Sequence, residues 1–253
     1  MIIQGVTLKN VGFVNDQSYV TSGLMYYVDA GQTSSYSGSG TSMTNISGTN
    51  IGATAIANGP VFTSNGYASY FTFDGSNDVG YTPDMKSLFT SPTNNNVTLE
   101  IWVRTSSDNG VVLSEQGNSP INSGWTDSQI EIVSGSLKMA IWTASGYSTV
   151  LNNGAVTRNK WQQYVLTYNV STLTLSGYIS GVNTASAGSI TRVSPMNNGN
   201  PVLYYNWMYP EVTSLGDGTG LAGDWSIFRV YNRALSAAEV LQNYNATKAR
   251  YGL

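Results

Sequence analysis

The chain has 253 residues, 41% of them hydrophobic but only 10% charged, well below the ~25% of ordinary soluble proteins. It contains no cysteine and no histidine, which excludes disulfides, thiolate or imidazole metal ligands and a Ser-His-Asp triad. Eleven Lys and Arg against 14 Asp and Glu leave a net charge of −3, with the cations too scattered to form a phosphate-binding face.

Residues 1–22 precede the first strong strand signal and are expected to form an arm or edge strand, leaving a single domain over 23–253. Leu24 to Asp29 reads as a strand. The stretch from Gly31 to Asn65 is rich in Ser, Thr, Gly and Asn and reads as a long loop with short extended pieces. Tyr70 to Phe73 follows as a strand. Val97 to Arg104 alternates strictly, with Val97, Leu99, Ile101 and Val103 on one face, as a half-buried antiparallel strand requires. Val111 to Ser114 is a further strand. Gln129 to Ser134 and Leu137 to Trp142 are expected to pair as a hairpin through Ser134-Gly135-Ser136. Turn signals follow at Asn152-Asn153-Gly154, Ser180-Gly181 and Asn197-Asn198-Gly199. Trp161 to Tyr168 and Thr172 to Ile179 form a second pair, with Leu173, Leu175 and Ile179 sharing a face. Trp225 to Tyr231 is the last strand. Ser236-Ala237-Ala238-Glu239 has the capping-box form, and Ala237, Val240, Leu241 and Tyr244 make the apolar face of one short helix. The pattern predicts an all-β antiparallel sandwich or jelly roll, closed by that C-terminal helix.

Four segments carry a resemblance. Gly23-Leu24-Met25-Tyr26-Tyr27-Val28-Asp29-Ala30-Gly31, with Ser35 to Thr41 behind it, resembles the opening of laminin-G-like, concanavalin A-like domains. Phe73-Asp74-Gly75-Ser76-Asn77-Asp78 is similar to an element of the same superfamily. Thr98 to Val103 and Trp161 to Tyr168 match its central strands, and Phe228 to Ser236 its closing strand and helix start. The match runs from about residue 23 to 245 in the expected order. The ending, Leu241 to Lys248 and Tyr251-Gly252-Leu253, looks most like versions in tailed-phage virion proteins.

The resemblance implies a non-enzymatic virion structural protein at the virion surface, serving as capsid decoration or tail component with weak glycan binding. Its partners would be other virion proteins or copies of itself, and carbohydrate. Two alternatives stay open: a lectin-like adhesin for cell-surface carbohydrate, and a glycoside hydrolase or lyase. Neither nucleic acid nor membrane is an expected partner, since no apolar run approaches the ~20 residues that span a bilayer. The opening MIIQGVTLKN also lacks the pattern of a secretory signal.

Three groups of residues are candidate sites. Tyr204, Tyr205, Asn206, Trp207 and Tyr209, bracketed as a loop by Pro201 and Pro210, suit sugar stacking, core packing or a subunit interface. Asp74, Asn77 and Asp78 offer oxygens to a calcium ion, as in many relatives, or simply form a turn around Gly75. Asp217 and Asp224 are weaker candidates of the same kind. A retaining glycosidase needs two close carboxyl groups. The five glutamates, Glu100, Glu115, Glu131, Glu211 and Glu239, are scattered and do not read as such a pair, with Glu100 and Glu131 outward on strands.

Overall fold

In the computed structural model Val97, Leu99, Ile101 and Val103 are all fully buried on the core face of the strand Val97–Arg104. The structure describes residues 18–89, 96–120, 123, 126–143, 146–147, 150–193, 202–210 and 214–253. Two antiparallel sheets form the sandwich. The first runs, edge to edge, Val182–Ala187, Thr174–Ile179, Gln162–Asn169, Val97–Arg104, Ala222–Tyr231, Tyr70–Asp74 and Val61–Thr63. The long strand Ala222–Tyr231 pairs along its first half with Tyr70–Asp74 and along its second half with Leu24–Asp29. The second sheet runs Leu151–Ala155, Ser136–Met139, Thr126–Val133, Gly110–Gln116, Tyr204–Trp207, Val79–Tyr81, Thr54–Ala57 and Ser42–Met43. A small hairpin of Trp142–Thr143 and Gly146–Tyr147 stands apart. One apolar cluster fills the space between the sheets.

The turn chemistry matches the hairpins. Ser134 and Gly135, with φ of 50° and 74°, make the two-residue reversal between Val133 and Ser136. Ser180 and Gly181, at 51° and 81°, do the same between Ile179 and Val182. Positive φ at both central residues suits the right-handed twist of the flanking strands. Two expectations need correction. Asn152-Asn153-Gly154 is not a turn but a bulged part of the strand Leu151–Ala155, where the register slips and Gly154 absorbs a φ of 89°. Leu173 does not join the Leu175 face, because it occupies a left-handed turn position at φ 52° and is partly exposed.

The helix Ala237–Lys248 begins with the expected capping box: the Glu239 amide donates to Ser236 Oγ, and the Ser236 amide donates to Glu239 Oε2. Its buried stripe differs from the expected one. Val240, Asn243 and Thr247 face inward, while Leu241 is 44% exposed. A polar residue takes the central inward position because the sheet beneath presents polar groups. Asn243 Nδ2 donates to Glu100 Oε2 at 2.7 Å and to the Tyr231 hydroxyl at 2.9 Å. Under this helix lies a second apolar cluster, including Trp102, Val165, Ile227 and Tyr231. Val20 belongs to it, and the Val20 amide donates to Asn243 Oδ1 at 2.8 Å. Tyr19 covers the Arg229 guanidinium. The described end of the expected arm or edge strand, residues 18–22, thus packs on the domain through Tyr19 and Val20, and residues 1–17 lie outside the described residues.

Glu239 also makes a two-pronged ion pair with Arg233, at 2.7 and 3.0 Å. The hydrogen bonds from Arg233, aided by those from Ser236 and opposed by partial burial, hold its carboxyl at about 2 instead of 4.5. A carboxyl depressed on folding stabilises the native state above its unfolded pKa and loses that contribution as pH falls through the folded value. Between pH 4.5 and about 2 the thermal midpoint of the wild type should therefore fall more steeply than that of Glu239→Gln. Parallel curves for the two proteins would show that this pair contributes nothing to acid stability.

Candidate functional site

The aromatic segment proves to be a strand, not a loop. Tyr204–Trp207 pairs with Gly110–Gln116 on one side and Val79–Tyr81 on the other, in the middle of the second sheet. Tyr205, Asn206 and Trp207 are fully buried, and Tyr204 and Tyr209 are half-buried. Trp207 stacks on Trp225 at 4.8 Å and meets Phe228 at 5.3 Å. Gly80 lies directly against its indole, where a Cβ would overlap the ring. Asn206 Nδ2 donates to Gln116 Oε1 at 3.2 Å. Tyr205, Asn206 and Trp207 thus pack in the core, out of reach of a sugar, while Tyr204 and Tyr209 keep part of their surface open. Trp102 and Trp225 are likewise buried in strands, and Trp125 lies outside the described residues.

The Asp74 segment is a turn around Gly75, whose φ is 78°. Asp74 Oδ1 accepts from the Ser76 amide at 2.7 Å, and Asp78 Oδ2 accepts from the Asp74 amide at 2.9 Å. Asn77 contributes its carbonyl, which accepts from Asn58 Nδ2 at 2.7 Å. Burial and the neighbouring Asp74 charge raise the Asp78 carboxyl above its ordinary range. One carboxylate oxygen of Asp74 and one of Asp78 thus serve backbone amides of the turn, as Asx residues around a glycine do. The two weaker candidates are similarly committed. Asp217 caps Thr219, and Asp224 accepts from Thr72 and Arg104. Among the described residues no three acidic side chains gather into a metal site.

Glu100 and Glu131 do point away from the core, yet both are fully buried because other elements cover them. Glu100 sits under the helix and receives Arg229 at 2.7 Å, Gln163 at 3.0 Å and Asn243. Glu131 lies under the segment around residue 215 and accepts from the Leu215 amide at 2.6 Å. Glu115 pairs with Arg192 at 2.8 Å; burial pushes its carboxyl up while Arg192 pulls it down. Glu211 lies outside the described residues. One spacing escaped the reading of the glutamates alone. Asp127, Gln129 and Glu131 alternate on one strand, which puts Asp127 four positions before Glu131. Across the sheet Asp127 lies directly opposite Glu115, whose carboxylate is paired with Arg192.

An open cleft lies elsewhere, in the Ser/Thr/Gly-rich stretch read as a loop. It runs between the Val61–Thr63 edge of the first sheet and the Thr54–Ala57 part of the second. Two lobes, each about 340 Å³, meet at Tyr36 and Phe62, which line both. These two rings pack edge-on at 4.8 Å, and both rest on Phe71, at 4.9 and 5.1 Å. Phe71 in turn contacts Trp225, so the cleft floor is continuous with the core. Gln32, Thr33, Ser37, Ser64 and Tyr67 line the first lobe; Thr41, Asn58 and Tyr81 line the second.

Tyr67 is 69% exposed, the most exposed large hydrophobic side chain of the described residues. Its loop is held from behind. Ser69 Oγ donates to the Gly66 carbonyl and accepts from the Asn65 amide at 2.9 Å. Arg250, near the C-terminus, donates through Nε to the Tyr67 carbonyl at 2.7 Å and forms a two-pronged pair with Asp29 at 2.7 and 2.8 Å. Asp29 also accepts from the Gly31 amide at 2.8 Å. A Cβ on Gly31 would overlap the Tyr67 carbonyl, so glycine is what lets the clamp close. The sequence signal for this site was the polar stretch itself with Tyr36, Phe62 and Tyr67 spaced through it.

The two antiparallel sheets and the single C-terminal helix define a jelly-roll sandwich of the concanavalin A-like type. The family model described as the concanavalin A-like lectin/glucanases superfamily (Laminin_G_3) matches residues 74–241, more than half of the chain. The chain belongs to that superfamily. No curated protein matches it. Among solved structures it is similar to a Trypanosoma rangeli sialidase in complex with sialic acid, with a TM-score of 0.63 and 14% identity over 92% of this chain and 34% of the sialidase. It is also similar to the binding domain of botulinum neurotoxin DC in complex with rat synaptotagmin II, with a TM-score of 0.61 and 12% identity over 90% of this chain and 52% of that one. A structure concerned with botulinum neurotoxin type C and two ganglioside molecules gives a TM-score of 0.63 and 13% identity, over 90% and 52%. The chain thus spans about half of the neurotoxin chains and a third of the sialidase, and the likeness is one of fold.

Proposed function

We propose that this chain is a non-enzymatic structural module displayed on a phage particle, and that its rim cleft binds carbohydrate. The observation that carries the binding role is the cleft: an exposed tyrosine beside hydroxyl and amide side chains, on a floor of packed aromatic rings. Sugars offer C–H faces to such rings and hydroxyls to such donors and acceptors. The buried, partnered carboxylates support the non-enzymatic reading, since Glu100, Glu115 and Glu131 present no free acid–base pair to a substrate. The virion role rests on the sequence resemblance, and a surface with few charges suits the broad, salt-tolerant contacts of an assembly. Cell-surface carbohydrate is then the partner outside the particle, and copies of the chain or other virion proteins are the partners within it.

Purified protein should bind polysaccharide extracted from host cells, and antibody against it should label intact particles. Tyr67→Ala should weaken the polysaccharide binding at least about tenfold, the equivalent of one lost contact of roughly 1.4 kcal/mol, without moving the thermal midpoint. Binding that is indifferent to Tyr67 would refute the cleft as the site. Particles that never take up the antibody would refute the virion role.

A further inference from the structure

We infer that the cleft is built for an uncharged glycan chain of at least two sugar units, and not for a sialylated or uronate glycan; this rests on the cleft being the binding site. The first observation is charge. No Asp, Glu, Lys or Arg is among the described residues lining either lobe. The nearest ionised groups behind the Tyr67 loop, Asp29 and Arg250, neutralise each other in a two-pronged pair, and Arg250 gives two further donors to the Tyr67 carbonyl. A sugar carboxylate entering this cleft would lose water without gaining a cation. Charge-assisted bonds are what recognise carboxylates, and a desolvated carboxylate without a partner is strongly disfavoured. The net charge of −3 adds a weak general repulsion of polyanions.

The second observation is shape. Tyr36 and Phe62 stand between two lobes of equal volume, each with its own hydroxyl or amide groups: Gln32, Thr33 and Ser64 on one side, Thr41 and Asn58 on the other. A single sugar seated on the groups of one lobe leaves those of the other unused. A chain that crosses the Tyr36–Phe62 ridge engages both, and its second unit binds with the first already in place.

The test is calorimetric binding of neutral six-sugar chains (maltohexaose, cellohexaose, laminarihexaose), of glucose, and of 3′-sialyllactose and oligogalacturonate. Each is titrated at about 20 mM and about 500 mM salt, which spans strong and negligible screening. At least one neutral hexasaccharide should bind, at least about tenfold more tightly than glucose, with an affinity that changes less than about twofold with salt. Tyr67→Ala and Gln32→Ala should each reduce it. Preference for a charged glycan, lost in Tyr67→Ala, would overturn the neutral-ligand inference and leave the cleft reading standing. Glucose matching the hexasaccharide would overturn the two-lobe part. Hexasaccharide binding indifferent to both substitutions would overturn the cleft itself, and no binding of any neutral chain would overturn this inference.

Discussion

Glu100→Ala is expected to cost about 3–5 kcal/mol of folding stability, read as a lower urea midpoint with an unchanged slope. The reason is the company Glu100 keeps. Its side chain is fully buried on the outer face of the first sheet, 2.7 Å from an Arg229 that is only 1% exposed. Arg229 packs against the touching rings of Tyr19 and Tyr27, with its guanidinium 4.8 and 4.5 Å from their centres. Asn243 from the helix, Gln163 from the neighbouring strand and Trp102 Nε1 all donate to the same carboxylate. Removing it leaves a buried cation and several donors without an acceptor, and that uncompensated charge dominates the loss. A double replacement, Glu100→Leu with Arg229→Met, should recover much of the stability, because the buried charge is then gone as well. A loss below about 1 kcal/mol for Glu100→Ala would mean the pair behaves as a surface ion pair and the helix does not cover it.

Trp207→Ala should cost about 3–5 kcal/mol, the range for deleting a large buried aromatic. The indole is wedged between Trp225, Phe228 and Gly80, so the surrounding rings cannot close the space without moving two strands. At low temperature, where the variant remains folded, its glycan affinity should stay within about threefold of the wild type, because the indole lines neither lobe and reaches the cleft floor only through Trp225 and Phe71. Tyr67→Ala should show the opposite pair of effects. A Trp207→Ala protein with an unchanged melting temperature and no glycan binding would place the site back at Trp207. The two substitutions together separate core from surface.

Local sequence determined a large part of this molecule. Alternation in Val97–Arg104, glycine after serine at residues 134–135 and 180–181, and the serine–glutamate spacing at the helix start each act over a few residues. Their geometry follows from backbone sterics and short hydrogen bonds, so the strands, hairpins and cap were legible without the fold. The same is true of the superfamily, whose motifs are themselves local.

The site was not legible, because exposure is set by what covers a residue and not by its own pattern. Tyr205 and Trp207 suited sugar stacking, core packing or an interface alike until sheet pairing put strands on both sides of them. Glu100 alternates outward as expected, and only the distant helix and its Asn243 make it buried. For Asp74 and Asp78, only the fold shows that one oxygen of each is taken by an amide four residues away or fewer. The cleft joins residues 31–41, 55–69 and Tyr81, backed by Arg250. Composition marked that stretch as short of apolar residues, which is why it read as loop. Tertiary structure decided that its few rings would converge on Phe71 at an open sandwich edge and leave Tyr67 in solvent, since a ring packs wherever partner surface is available and stays outside where the sheets end.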